Sequence, residues 1–84
     1  MKIIFHARAW EDYLYWQSTD QKMLARVNHL IRETSRSPFQ GIGKPEPLRG
    51  DLRGWWSRRI DQEHRLVYRP TEDGVLIAQC RHHY

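Results

Sequence analysis

The 84-residue sequence predicts an α+β fold with the element order β-α-α-β-β-β, in which a two-helix hairpin packs on one face of a twisted, mainly antiparallel sheet. Two observations predict it. Apolar residues recur at helical spacing in the first half of the chain and at every second position in the second half. A segment rich in proline and glycine, residues 37–50, separates the two halves. The length fits a single domain, residues 1–84.

The first half of the chain is predicted to form one strand and two helices. Residues 2–5 are a short β-prone run, and residues 7–18 form a helix. The helical repeat of this first helix is marked by Trp10, Tyr13, Leu14 and Gln17. Asp20 is a suitable N-cap for the second helix, which ends at Ser37-Pro38. Its apolar face consists of Met23, Leu24, Val27, Leu30, Ile31 and Thr34.

Three strand-like runs follow the loop. They are residues 55–60, 64–69 and 75–83. In the second run, alternation places Leu66 and Tyr68 on one face and Arg65, Val67 and Arg69 on the other. We therefore expect the helices to cover one face of the sheet and an arginine-rich face to stay open.

The third run carries two adjacent histidines at the end of the chain. Alternation groups Leu76, Ala78, Cys80 and His82 on one face and Ile77, Gln79, Arg81 and His83 on the other. The sequence thus predicts that His82 faces the helices and that His83 lies on the open face.

The chain is basic, with 14 Lys and Arg residues against 10 Asp and Glu, a formal net charge of +4 and a pI near 9.6. Eleven of the 14 are arginine, whose planar guanidinium binds phosphate through paired hydrogen bonds and stacks on bases. Among Trp55, Trp56 and Tyr68 stand Arg49, Arg53, Arg58, Arg59, Arg65 and Arg69. This pattern favours single-stranded nucleic acid as a partner, and a merely solvated basic face is the alternative.

Composition excludes several classes of protein. The longest uncharged apolar run, residues 75–78, is far shorter than the roughly 20 residues of a membrane span, and residues 2–6 lack the apolar core of a signal peptide. We therefore expect a cytoplasmic protein without a membrane partner. Cys80 is the only cysteine, which excludes an internal disulfide and a zinc ribbon. Adjacent strand residues point to opposite faces, so His82 and His83 do not readily share a metal ion, and no cofactor is expected.

Three residues suggest acid–base chemistry. Glu46 stands between two prolines that hold its backbone extended, and Arg65 lies on the polar face of an otherwise apolar strand. If His83 joins them on the open face, the set provides a base, a cation and an acid around a phosphate. RNA supplies its own nucleophile in the 2′-hydroxyl, so these groups are sufficient for cleavage without a metal. No rule of spacing establishes that the three side chains meet.

Four segments carry a resemblance to a known family: residues 43–48 (GKPEPL), 56–60 (WSRRI), 63–68 (EHRLVY) and 80–84 (CRHHY). They resemble the YoeB toxins of the RelE/ParE superfamily over essentially the whole chain. The resemblance implies a type II toxin, namely a ribosome-dependent endoribonuclease that cuts mRNA in the ribosomal A site. It also implies neutralisation by a partly disordered antitoxin of the YefM kind, and it leaves a homodimer open.

The resemblance assigns roles to individual residues. The general base falls on Glu46, the phosphate-stabilising arginine on Arg65 and the general acid on His83, with Arg59 and Tyr84 as supporting residues. Further contacts with RNA are expected from Arg49, Arg53 and Arg58. Arg49 stands where the family has a lysine, and His6 stands where it often has a serine that caps the first helix. The alternative is a toxin of the same scaffold that cleaves no RNA, such as one directed at gyrase.

Overall fold

The structure, a computed structural model, describes residues 1–83 and contains two α-helices and five β-strands. In chain order these are β1 (Lys2–Phe5), α1 (Ala7–Thr19), α2 (Gln21–Arg36), β2 (Glu46–Pro47), β3 (Trp56–Arg59), β4 (Arg65–Pro70) and β5 (Gly74–Gln79). One turn of 3-10 helix, Gly50–Leu52, lies between β2 and β3. Neither α-helix of this described part is long and apolar enough to cross a membrane.

The strands form one sheet in the spatial order β1-β5-β4-β3-β2. β1 is parallel to β5, and the other three neighbouring pairs are antiparallel. The predicted α+β fold with a mainly antiparallel sheet is therefore confirmed. The sequence did not predict β2, which lies within the expected loop and pairs Glu46 with Ser57 and Pro47 with Trp56. A strand of two residues is too short to show an alternating pattern, and its proline is tolerated because β2 is an edge strand.

α2 has the limits and the buried face that the sequence predicts. The Asp20 carboxylate accepts a hydrogen bond from the Met23 N–H at 3.1 Å, and the helix ends at Arg36. Its buried residues are Met23, Val27, Leu30, Ile31 and Thr34. A 16-residue helix obtains most of its stability from packing, so this buried stripe fixes α2 against the sheet.

α1 covers the predicted residues but turns a different face to the sheet. Its buried residues are Ala9, Asp12 and Trp16, whereas Trp10 is 46% exposed. Of the four residues that mark the helical repeat, only Tyr13 packs against the core. The buried positions include an alanine and an aspartate, which a search for large apolar side chains passes over.

The core lies between the two helices and one face of the sheet. It consists of Ala9, Trp16, Met23, Val27, Leu30, Ile31, Ile60, Leu66, Tyr68, Val75, Ile77 and Cys80. Leu66 and Tyr68 share this face of β4, as alternation predicts.

A bulge in β5 changes the predicted faces of that strand. Tyr68 pairs with Ile77 while its neighbour Val67 pairs with Gln79, so Ala78 is an extra residue on β5. Ile77 therefore faces the core, opposite to the prediction.

The bulge also explains where the prediction holds. Leu76, predicted to face the core, is not part of it, whereas its neighbour Val75 is buried there. Cys80 follows the bulge and lies in the core, as predicted. One inserted residue shifts the alternation by one position, so the prediction fails for Leu76 and Ile77 before the bulge and holds for Cys80 after it.

Candidate active site

The candidate site lies on the face of the sheet opposite the helices, here called the open face. Residues of β4 alternate, so Arg65 and Val67 point away from the core that contains Leu66. The strand register continues this face across the sheet, because Val67 pairs with Ser57 and Ser57 pairs with Glu46.

Glu46 and Arg65 meet on the open face. The Glu46 Oε1 atom lies 3.6 Å from Arg65 Nη1, and the two side chains are 56% and 14% exposed. The Nε group of Arg65 is buried and has no hydrogen-bond partner among residues 1–83. Since 3.6 Å is longer than a good hydrogen bond, both groups keep donors and acceptors for a third molecule. The structure thus brings together two of the three residues predicted to carry catalysis.

Glu46 is positioned by the backbone on both sides of it. After β2, the Leu48 N–H donates to the Trp55 carbonyl at 2.9 Å. Before β2, the Arg59 N–H donates to the Gly43 carbonyl at 2.7 Å. Gly43 has φ of +80°, a left-handed conformation that glycine adopts without steric cost. The pairing with β3 therefore fixes a carboxylate that stands in an otherwise irregular segment.

Arg58 does not lie on the basic surface, so the prediction that it contacts RNA is wrong. Its side chain is fully buried on the core face of β3. The guanidinium donates to the carbonyls of Ser37, Gln40 and Ile42, the latter two at 3.0 Å, and to the Tyr68 hydroxyl at 3.2 Å. These carbonyls belong to the loop before β2, where no strand or helix pairs them. Arg58 therefore ties that loop to the sheet.

Other predicted phosphate contacts do lie on the surface. Arg49, Arg53 and Arg59 are exposed. Arg59 is opposite Arg65 in the register of β3 and β4, which puts it beside the Glu46–Arg65 pair. Their contact with RNA remains a prediction.

Side chains of α1 hold the chain where it leaves β5. The Asp12 carboxylate accepts a hydrogen bond from the Cys80 N–H at 3.1 Å, and the Trp16 indole N–H donates to the Cys80 carbonyl at 2.8 Å. The Arg81 guanidinium then lies 3.4 Å from the centroid of the Tyr15 ring, a cation–π contact. The segment after β5 is therefore fixed by α1 at Cys80 and Arg81.

His82 is held by its backbone, while its side chain is exposed. Its N–H donates to His64 Nδ1 at 2.7 Å, and its carbonyl accepts from the Arg65 N–H at 3.0 Å. Its φ of +69° turns the chain away from the strand path, and the prediction that His82 faces the helices is wrong. His83 follows directly and is exposed. Tyr84, predicted to support the substrate, lies outside the described residues.

Two titratable groups of the core are not suited to catalysis at neutral pH. Burial, together with the charge of Asp12, raises the pKa of the Cys80 thiol to about 12, so Cys80 stays protonated and unreactive. Burial also raises the pKa of the Tyr68 phenol, against the opposing effect of Arg58. Within residues 1–83, no group of three or more His, Cys, Asp and Glu side chains is arranged to hold a metal ion. The available chemistry is that of a carboxylate, guanidinium groups and an exposed histidine.

Sequence reasoning missed the residues that position the site. His64, Asp12 and Trp16 contact the segment after β5 across 18, 68 and 64 positions of sequence. No local signal reports contacts over such separations. Of the three, only Asp12, a charged residue on the buried side of α1, is unusual enough to suggest a structural contact.

Comparison with known proteins gives a consistent result. A sequence model of the family described as "YoeB-like toxin of bacterial type II toxin-antitoxin system" matches residues 5–84. The toxin YoeB of Escherichia coli K12 is 57% identical over 84 residues, covering all of both chains. The structure of a YoeB/ParE toxin from Agrobacterium tumefaciens superposes with a TM-score of 0.96 at 50% identity over all of both chains.

Two structures of YoeB from Staphylococcus aureus are similar as well. One is a YoeB dimer and the other a heterotetrameric YoeB–YefM toxin–antitoxin complex. Both are 45% identical, cover all of this chain and 98% of theirs, and have TM-scores of 0.93 and 0.92. With a family match over 80 residues and relatives above half identity over the full length, this chain belongs to the YoeB-like toxins of bacterial type II toxin–antitoxin systems.

Proposed function

We propose that this toxin is a ribosome-dependent endoribonuclease that cleaves mRNA in the A site by metal-independent acid–base catalysis. The observation that carries the proposal is the pair on the open face: an accessible carboxylate, Glu46, 3.6 Å from a largely buried guanidinium, Arg65. The pair provides a proton acceptor and a fixed positive charge at adjacent positions. Attack of a ribose 2′-hydroxyl on its own phosphate requires both.

In the proposed reaction, Glu46 removes the proton from the 2′-hydroxyl, and the 2′-oxygen forms a bond to phosphorus. Arg65 stabilises the negative charge that develops on the non-bridging phosphate oxygens. The bond from phosphorus to the 5′-oxygen breaks, and His83 gives a proton to that oxygen. The products are a 2′,3′-cyclic phosphate and a 5′-hydroxyl.

The exposed arginines support docking on RNA. Arg49, Arg53 and Arg59 are exposed, Arg59 lies beside the pair, and each provides a guanidinium that suits phosphate. The attraction is sequence-independent, as expected of a protein that finds mRNA on the ribosome. A ribosome supplies the phosphates and orients the substrate.

The proposed protein partner is an antitoxin of the YefM kind in the cytoplasm. It rests on the complex that the related Staphylococcus aureus toxin forms with YefM and on the +4 charge of this chain, which an acidic segment complements. The YoeB dimer from the same species supports self-association as a further proposal.

Single-turnover cleavage of mRNA on programmed ribosomes tests the function. Glu46→Gln keeps size and polarity but removes the base, and we expect cleavage to fall about 10²- to 10⁴-fold. Arg65→Ala is expected to lose roughly 10²-fold or more with ribosome binding retained. Glu72→Gln, an exposed carboxylate in the turn before β5, is the matched control and is expected to cleave at the wild-type rate.

The end groups and the target separate this proposal from the alternative. Cyclic phosphate ends appearing only with ribosomes agree with it. Near wild-type cleavage by Glu46→Gln would refute the assignment of the base. Intact transcripts together with cleaved or trapped DNA would instead favour a gyrase-directed toxin on the same scaffold.

A further inference from the structure

His64 makes an unusual contact with the segment that carries His83. Its ring is 9% exposed and packs edge-on against Trp16, with ring centroids 4.9 Å apart. Its Nδ1 accepts a hydrogen bond from the backbone N–H of His82 at 2.7 Å. In an ordinary β-ladder, the His82 N–H would donate to a carbonyl of the neighbouring strand. Here the acceptor is a side chain instead.

The direction of this hydrogen bond fixes the form of the imidazole. A backbone N–H only donates, so His64 Nδ1 must carry a lone pair, and the ring is neutral with its proton on Nε2. That nitrogen points towards Glu63, whose Oε1 lies 3.7 Å away. The backbone N–H of His64 donates to the Asp61 carboxylate at 2.7 Å, which holds the turn in place.

The contact controls a strained residue. His82 has φ of +69°, which a histidine adopts only where the surroundings impose it. Three hydrogen bonds to the His82 backbone impose it here. The N–H donates to His64 Nδ1, and the carbonyl accepts from the Arg65 N–H and, at 3.4 Å, from Gln79 Nε2. The φ and ψ angles of His82 set the direction in which His83 leaves, at the start of the strand that carries Arg65.

We propose that His64 is a positioning residue: its neutral imidazole holds His82 in the left-handed conformation, so that the chain delivers His83 to the Glu46–Arg65 pair. This inference rests on the proposed function, because it assigns a purpose to the placement of His83. His64 itself is nearly buried and touches no substrate. Its effect on cleavage passes through the backbone of His82.

Three substitutions separate positioning from packing. Asparagine places a carbonyl oxygen near the position of Nδ1, glutamine reaches only towards Nε2, and leucine offers no acceptor. We expect His64→Asn to cleave within about threefold of wild type, and His64→Leu and His64→Gln to lose roughly 30- to 100-fold in the single-turnover rate. Ribosome affinity is expected to stay within about twofold for all three. His29→Leu, at an exposed position of α2, is the control for losing a histidine.

Amide hydrogen exchange at His82, measured by NMR at a temperature where each variant is folded, gives a readout that does not depend on activity. We expect the His82 amide to lose protection about tenfold or more in His64→Leu and to keep it in His64→Asn. Unchanged protection in His64→Leu, or equal cleavage by the Asn and Leu variants, overturns the proposal. If the wild-type protein cleaves no RNA, the proposed function fails, and the exchange data still decide whether His64 fixes the segment after β5.

Discussion

Replacing Arg58 with methionine is expected to lower the free energy of unfolding by about 3–5 kcal/mol, although arginine is ordinarily a surface residue. The side chain is fully buried and makes four hydrogen bonds, three of them to loop carbonyls. Methionine keeps the apolar length of the side chain and removes every donor.

The magnitude follows from which acceptors water can reach after the substitution. The carbonyls of Gln40 and Ile42 belong to exposed residues and can be rehydrated. The Ser37 carbonyl, of a partly buried residue, and the buried Tyr68 hydroxyl each lose a bond to a charged donor, and the hydroxyl still donates to the Pro38 carbonyl at 2.6 Å. Two lost bonds to a charged donor, at about 1.5–2.5 kcal/mol each, give the stated range.

Thermal unfolding and urea titration measure the effect. For a chain of this size the loss corresponds to a decrease in Tm of at least about 12 °C. Arg53→Met, at an exposed position, is the matched control and is expected to stay within about 0.5 kcal/mol of wild type. A loss below about 1 kcal/mol for Arg58→Met would refute the reasoning, since it would mean that the loop carbonyls find other partners at no cost.

Three further predictions concern charge and protonation. The double variant Arg49→Ala/Arg53→Ala is expected to reduce the slope of log affinity for the ribosome against log salt by about 1.4, and an unaltered slope would show that these residues are only solvated. Cys80, with its pKa near 12, is expected to resist iodoacetamide in the folded protein at pH 8 and to react fully in denaturant; rapid labelling of the folded form would contradict its burial. Burial alone would raise the pKa of Asp61, but hydrogen bonds from the N–H groups of His64 and Glu63 lower it below 3.8. The ionised Asp61 therefore stabilises the fold above pH 3.8, and this stabilisation is lost as the pH falls through the folded-state pKa. Urea titrations at pH 7 and pH 3 are expected to show that Asp61→Asn destabilises at the higher pH and much less at the lower one.

The sequence predicted α2 well because its signals are local. A capping aspartate, an apolar stripe at helical spacing and a serine–proline stop all act within a few residues of the helix they define. The strands of the second half were also found, since alternation persists over each run. Their general arrangement followed from the short turns between them.

The faces of the sheet were predicted less well, for a physical reason. Ala78 is an extra residue on β5, and a single insertion inverts every assignment on one side of it. Nothing in the composition of residues 74–79 marks the bulge. The left-handed conformation of His82 is equally hidden, because it is uncommon for histidine and depends here on a hydrogen bond to His64, 18 positions earlier.

Arg58 shows why residue type alone misassigns a site. As one of several arginines in this part of the chain, Arg58 has the features of a phosphate contact. In the β3–β4 register, however, it is paired with Leu66, which lies on the core face of the sheet. The strand pattern contained this information. The charge of the side chain predicts a surface position, whereas strand alternation predicts the core. Burial is possible because the carbonyls of the preceding loop accept hydrogen bonds from the guanidinium.

The three proposed catalytic groups are held by separate parts of the fold. Arg65 stands on a central strand, whereas Glu46 depends on a loop tied down by the buried Arg58, and His83 depends on a segment fixed by His64 and α1. The proposed base is therefore positioned through a loop held by Arg58 as well as by pairing with β3. The proposed acid is positioned through a segment held by His64, Asp12 and Trp16. These buried side chains act on backbone groups rather than on substrate. Arg58 and His64 join different segments to the same sheet. A substitution of Arg58 therefore alters the placement of Glu46 relative to Arg65, and a substitution of His64 alters that of His83. This separation predicts that substitutions of Arg58 act on the proton-abstracting side of the reaction and those of His64 on the proton-donating side, although neither residue belongs to the open face.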